Sequence, residues 1–120
     1  MRIIAPLAAS WLMLTALPAT AQVNPFRGVT ATLTPADSAL LWSSIDQLNQ
    51  TRDVAAGAKT TWSNPDSGRQ GQNIVTGLFT RDGLQCHTVR HELIFTPGGS
   101  ATVFNLNWCL APDGRWKIAS

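Results

Sequence analysis

Two cysteines, Cys86 and Cys109, flank a single Thr-Pro-Gly-Gly turn, and no other feature limits the fold of this chain as strongly. The segment Gln85–Phe95 alternates polar and apolar side chains, and Ala101–Trp108 does the same. Between them Thr96-Pro97-Gly98-Gly99 supplies turn residues. If those four residues close an antiparallel hairpin, Cys86 falls directly opposite Cys109, at the separation a cross-strand disulfide needs. The same register places Val89, Leu93, Phe95, Phe104, Leu106 and Trp108 on one face. Thr88, Arg90, Glu92, Asn105 and Asn107 fall on the other. One register therefore satisfies both the cysteine pairing and the apolar sorting. Closing a loop of this size contributes about 3 kcal/mol, a large share of the stability of a small domain.

A structural disulfide requires an oxidising compartment, and the start of the chain reads as an export signal. Arg2 supplies a thin positive region, and Ile3–Leu17 is apolar through Trp11, Leu12, Met13 and Leu14. Ala19-Thr20-Ala21 places small residues at the positions signal peptidase reads, so cleavage is expected before Gln22. The apolar stretch is short for a spanning helix and is interrupted by Pro6, Ser10, Thr15 and Pro18. No cysteine follows it, so a lipid-modified N-terminus is not expected. The mature protein is expected to be soluble and exported, to the periplasm or the outer-membrane periphery, with no transmembrane span.

At 120 residues the chain is one domain, and losing Arg2 lowers its formal charge of +2 by one. With 13% charged residues against 44% hydrophobic ones, it is neither a nucleic-acid arm nor an acidic disordered tail. The expected organisation is a signal peptide at 1–21, an extended lead-in at 22–33 and one domain at 34–120. Thr34 is a good N-cap, Pro35 suits the first helical position, and Asp37 complements the positive helix end. Leu41, Ile45 and Leu48 recur at helical spacing with Trp42 beside them, which predicts an amphipathic helix to about Thr51. Strands are expected at Lys59–Ser63, Asn73–Phe79, in the two arms of the cysteine hairpin, and at Arg115–Ile118. Polar residues Asn64 to Gly68, with Gly71 marking the far side, form a turn between the first two. Asp82-Gly83 and Asp113-Gly114 make the later turns. The predicted fold class is α+β: one N-terminal amphipathic helix packed on a four- to five-stranded antiparallel sheet with a cross-strand disulfide.

The run Trp62-Ser63-Asn64-Pro65-Asp66-Ser67-Gly68, with Gly71 shortly after, resembles the seventeen-kilodalton surface antigen family of proteobacterial cell envelopes. That family carries W-x-N-P-x-S-G-x-x-G, then Gly-x-x-Cys-Arg, a second Cys-Arg, and Asp-Gly-x-Trp near the C-terminus. The corresponding residues here are Gly83-Leu84-Gln85-Cys86, Cys109 and Asp113-Gly114-Arg115-Trp116, and Leu33-Thr34-Pro35-Ala36-Asp37 also resembles the family's helix start. Matches run from Leu33 to Ile118. The arginines after the cysteines are replaced by His87 and Leu110, so no role of theirs carries over. Many relatives have a lipoprotein signal and a glycine-rich membrane-associated segment ahead of this domain, and neither is read here. The resemblance implies an envelope protein and names no reaction.

The candidate chemistries are weak. Cys86, His87, His91 and Cys109 offer a zinc-like donor set, but on one strand Cys86 and His91 lie roughly 16 Å apart and point to opposite faces. His87 and His91 share the face of Val89 and Leu93, which reads as one rim and one hydrogen-bonded histidine. No nucleophile-elbow motif accompanies the serines, Glu92 is the only glutamate, and Asn64, Asp66, Ser67 and Asn73 lack the spacing of a calcium loop. Trp62, Trp108 and Trp116 suit a small core, or else an exposed patch that grips a partner. We expect no catalysis, no metal and no other cofactor. The expected role is a structural or binding module that meets an envelope protein or glycan, not nucleic acid. Its expected binding surface is Trp62, Asn64, Pro65, Asp66, Ser67, Gly68 and Gly71. The alternative is a small periplasmic accessory subunit or inhibitor docking on an envelope enzyme or membrane complex.

Overall fold

A computed structural model describes residues 25–26, 32–50 and 54–119. The signal peptide expected at 1–21, and most of the lead-in expected at 22–33, lie outside the described residues. Among the described residues one helix, α1 (Pro35–Leu48), precedes five strands: β1 (Lys59–Asn64), β2 (Arg69–Arg81), β3 (Leu84–Ile94), β4 (Ala101–Leu110) and β5 (Trp116–Ala119). The strands form one antiparallel sheet in chain order, each paired with its sequence neighbours. No described helix is long and apolar enough to cross a membrane.

The helix starts where the residues demand. The Asp37 backbone N–H donates to the Thr34 hydroxyl, and the Thr34 backbone N–H donates to the Asp37 carboxylate, each at 3.0 Å, a reciprocal cap with Pro35 just inside it. It ends three residues before the expected Thr51, because Asn49 leaves helical geometry while its N–H still donates to the Ile45 carbonyl. Leu41, Ile45 and Leu48 are buried against Trp62, Val75, Val89, Leu93 and Trp108 of the sheet. Each Å² of apolar surface that this contact removes from water stabilises the fold by about 25 cal/mol.

The cysteine hairpin has the expected register throughout, from Cys86 opposite Cys109 to Ile94 opposite Ala101, and the disulfide is formed. Pairing stops at Ile94, so Phe95 joins the loop rather than the strand. Asp82 and Gly83 have φ of 52° and 78°, the paired left-handed residues of a two-residue hairpin that matches strand twist. The main departure is β2, which starts at Arg69 rather than Asn73 and runs on to Arg81. Gly71 consequently lies inside the strand, between Trp62 of β1 and Leu93 of β3, not beyond the turn. A bulge between Val75 and Gly77 lets the long strand bend. Phe26 of the lead-in is fully buried, with its ring 5.2 Å from those of His91 and Phe104 and 5.5 Å from that of Trp42.

Candidate functional site

The Asn64–Gly68 turn is built around a carboxylate that lies far off in sequence. Asp37 is completely buried. Its Oδ1 accepts from Ser67 Oγ at 2.6 Å and from Asn64 Nδ2 at 2.8 Å. Its Oδ2 accepts from the Thr34 backbone N–H at 3.0 Å and from Arg69 Nη1 at 3.3 Å. Burial by itself opposes ionisation of Asp37, but hydrogen bonds from Ser67, the Thr34 backbone and Asn64 outweigh it and hold the carboxyl well below its ordinary range. Asn64 also folds its own turn, since Oδ1 accepts from the Asp66 N–H at 3.1 Å and its carbonyl accepts from the Gly68 N–H at 2.8 Å. Gly68 sits at φ 76°, where a side chain would be strained.

The seven residues expected to form a binding surface therefore divide. Trp62, Asn64 and Gly71 are buried, Ser67 and Gly68 are half-buried, and only Pro65 and Asp66 are exposed. Gly71 is small for a reason: a Cβ there would lie 2.5 Å from Trp62 Nε1 and 2.5 Å from the Glu92 carbonyl oxygen. Trp62 thus packs across a position that admits no side chain. Its Nε1 is buried without a hydrogen-bond partner among the described residues, as is Arg69 Nε.

Two concavities flank the turn. A groove of about 460 Å³ crosses β1, β2 and β3 and is lined by Thr61, Ser63, Gln70, Gln72, Glu92 and Ile94. Glu92 is held in place by Gln72 Nε2 at 2.7 Å and by an ion pair with Arg90; the Gln72 bond first, and Arg90 after it, lower its pKa. A recess of about 180 Å³ lies between the turn and Pro97 of the β3–β4 loop, with Arg69 in its wall.

The two histidines lie elsewhere, on the inner face. His91 Nδ1–H donates to Asn73 Oδ1 at 2.7 Å, and Trp108 Nε1–H donates to His91 Nε2 at 3.3 Å, which fixes the neutral tautomer. Asn73 Nδ2 donates onward to Ser44 Oγ at 2.8 Å and Thr60 Oγ1 at 3.1 Å. His87 is not at the rim: it is fully buried, bonded through Nε2 to Asn49 Oδ1 at 2.8 Å and stacked on Trp116 at 4.1 Å. Its Nδ1 has no partner among the described residues. Desolvation by burial pushes both histidines down to about 4, with the charge of His87 a further cause at His91. Cys86 and Cys109 are joined to each other, and Cys86 takes the alternate strand position to His87 and His91. Among the described residues no three His, Cys, Asp or Glu side chains gather as metal ligands.

Sequence reasoning gave Asp37 a capping role only, and it treated Phe26 as part of a loose lead-in. A signal for Asp37 was present. Asp37, Leu41 and Ile45 follow a four-residue spacing that puts the acid on the apolar stripe, and a carboxylate there must find donors. Phe26 had none, because nothing local marks which aromatic will fold back onto the core. No family model, curated protein or solved structure matches this chain.

Proposed function

We propose that this chain is an exported, non-catalytic binding module of the bacterial cell envelope, similar to the surface antigens, that meets an envelope protein or glycan through the Asn64–Gly71 turn and the groove beside it. The observation that carries this reading is how the buried polar groups are used. Asp37 is taken up by Asn64, Ser67, Arg69 and the Thr34 backbone, Asn73 by Ser44, Thr60 and His91, and among the described residues neither histidine bonds to a serine or threonine hydroxyl as a reactive pair would require. What they achieve is rigidity: they anchor the turn to the helix N-terminus, so its exposed side chains are presented at little ordering cost. The resemblance of the Trp62–Gly71 motif supports the envelope assignment, and the disulfide fits an oxidising compartment.

Crosslinking in native envelopes tests the reading, comparing the wild-type chain with Asp66→Ala and Gln70→Ala, both exposed positions. The expected result is a specific crosslinked species that both substitutions weaken. An unprocessed protein found only in the cytoplasm, or crosslinks indifferent to both changes, would refute it. Stoichiometric recovery of one enzyme or membrane complex would narrow the module to an accessory subunit or inhibitor.

A further inference from the structure

At the opposite end of the helix, a cleft of about 420 Å³ opens between the last helical turn, β4 and the β4–β5 turn. Asp46, Asn49, Gln50, Arg115, Trp108 and Trp116 line it. Two features here run against local preference. Asp46 lies in the last turn of α1, where the helix dipole disfavours an acid, and that turn holds no basic residue. His87, in contact with two walls of the cleft through Asn49 and Trp116, keeps a buried nitrogen that has no partner among the described residues. Both cost stability, and departures of this kind concentrate where a surface is used rather than merely folded.

We propose that this cleft binds a neutral saccharide, with one pyranose face against Trp116 and the ring hydroxyls on Asp46, Asn49, Gln50 and Arg115. The lining decides the ligand class. Asp46 and Arg115 carry opposite charge, so neither an anion nor a cation is selected. Carboxylate, guanidinium and two amides supply acceptors and donors together, which suits hydroxyl groups that both give and take hydrogen bonds. The indole offers a flat, electron-rich face to the slightly positive C–H groups of a sugar ring. His87 stacks on Trp116 with an interplanar angle of 23°, so a ligand in the cleft has one indole face to lie against. The site is also preformed: the stack fixes Trp116, and the Asn49 bond fixes His87, so little side-chain freedom is lost on binding. The volume lies in the usual range for small-ligand sites. This cleft does not depend on the turn at Asn64–Gly71 being a docking surface.

The test is a titration of the full chain with three neutral saccharides, maltotriose, cellotriose and triacetylchitotriose, followed by side-chain NMR shifts and tryptophan fluorescence. At least one is expected to give saturable, low-millimolar binding with shifts at the Trp116 indole and the Asn49 amide. Asp46→Ala and Gln50→Ala alter exposed side chains and should each weaken binding about tenfold, the equivalent of one lost hydrogen bond. Trp116→Ala should abolish it, with circular dichroism confirming that the sheet remains. No saturable response to any of the three overturns the proposal. So does binding that both Asp46→Ala and Gln50→Ala leave unchanged, or saturable binding to a charged saccharide alone.

Discussion

The two ends of the helix are tied to the sheet by opposite kinds of chemistry. At the N-terminal end a buried carboxylate accepts four hydrogen bonds, from Thr34, Asn64, Ser67 and Arg69, and each donor belongs to the helix start or the β1–β2 turn. At the C-terminal end a single amide, Asn49, meets a histidine with one nitrogen bonded and the other without a partner among the described residues. The first junction is charged and puts four donors on one acceptor; the second is neutral and rests on one hydrogen bond. The difference teaches that buried polarity serves two purposes in one small domain. A charged network of four hydrogen bonds on one carboxylate locks a turn in place, whereas a single neutral bond borders the cleft proposed to take a ligand.

Acid should separate the two ends most strongly. A histidine whose folded pKa is depressed stabilises the fold fully above its ordinary value of 6.5, and that contribution fades as pH falls from 6.5 to about 4. His87 and His91 should each cost of order 3 kcal/mol once protonated, by the conversion of pKa shift to free energy. Asp37 behaves with the same sign but over a lower window, since its stabilising contribution begins to fade only below the ordinary carboxylate value of 3.8. Urea titrations at successive pH values should therefore show a first loss of stability between pH 6.5 and 4, and a separate loss below it.

At neutral pH the charged end should dominate. Asp37→Ala strands Arg69, Asn64 and Ser67 and removes the carboxylate half of the reciprocal helix cap, and it should cost about 3–5 kcal/mol in a denaturant melt. Next, the two histidines should differ from each other. His91→Phe leaves Asn73 and Trp108 without partners and should cost about 2 kcal/mol. His87→Phe keeps the stack on Trp116 and removes the unpaired nitrogen, so it should be close to neutral at pH 7 while flattening half of the acid response. Asn49→Ala, which leaves His87 Nε2 buried without its acceptor, should cost about 1 kcal/mol, several times less than Asp37→Ala. Equal costs at the two ends would contradict the comparison.

Much of the fold was legible because its signals are local. The Thr34-Pro35-x-Asp37 cap, the Asp82-Gly83 turn and the alternation of both hairpin arms all act over a few residues, and the helix start and the β3–β4 register follow from them. The start of β2 was not legible. Arg69-Gln70-Gly71-Gln72 is turn-like by composition, and it becomes strand because Trp62 opposite needs the space that Gly71 leaves. The candidate surface was half legible for the same reason: the motif from Trp62 to Gly71 stood out, but Asn64, Ser67 and Arg69 turn to Asp37 while Ser63, Asp66 and Gln70 face solvent.

By itself the sequence determined the disulfide, its strand register and the class of the fold, since periodicity and turn chemistry bind each residue to near neighbours. Tertiary structure alone decided that Asp37 is the anchor of a turn some thirty residues away, that Phe26 closes the core, and that His87 is sealed beneath Trp116. Those outcomes depend on which distant donors, rings and empty positions meet when the helix lands on the sheet, and such a meeting leaves no periodic trace along the chain.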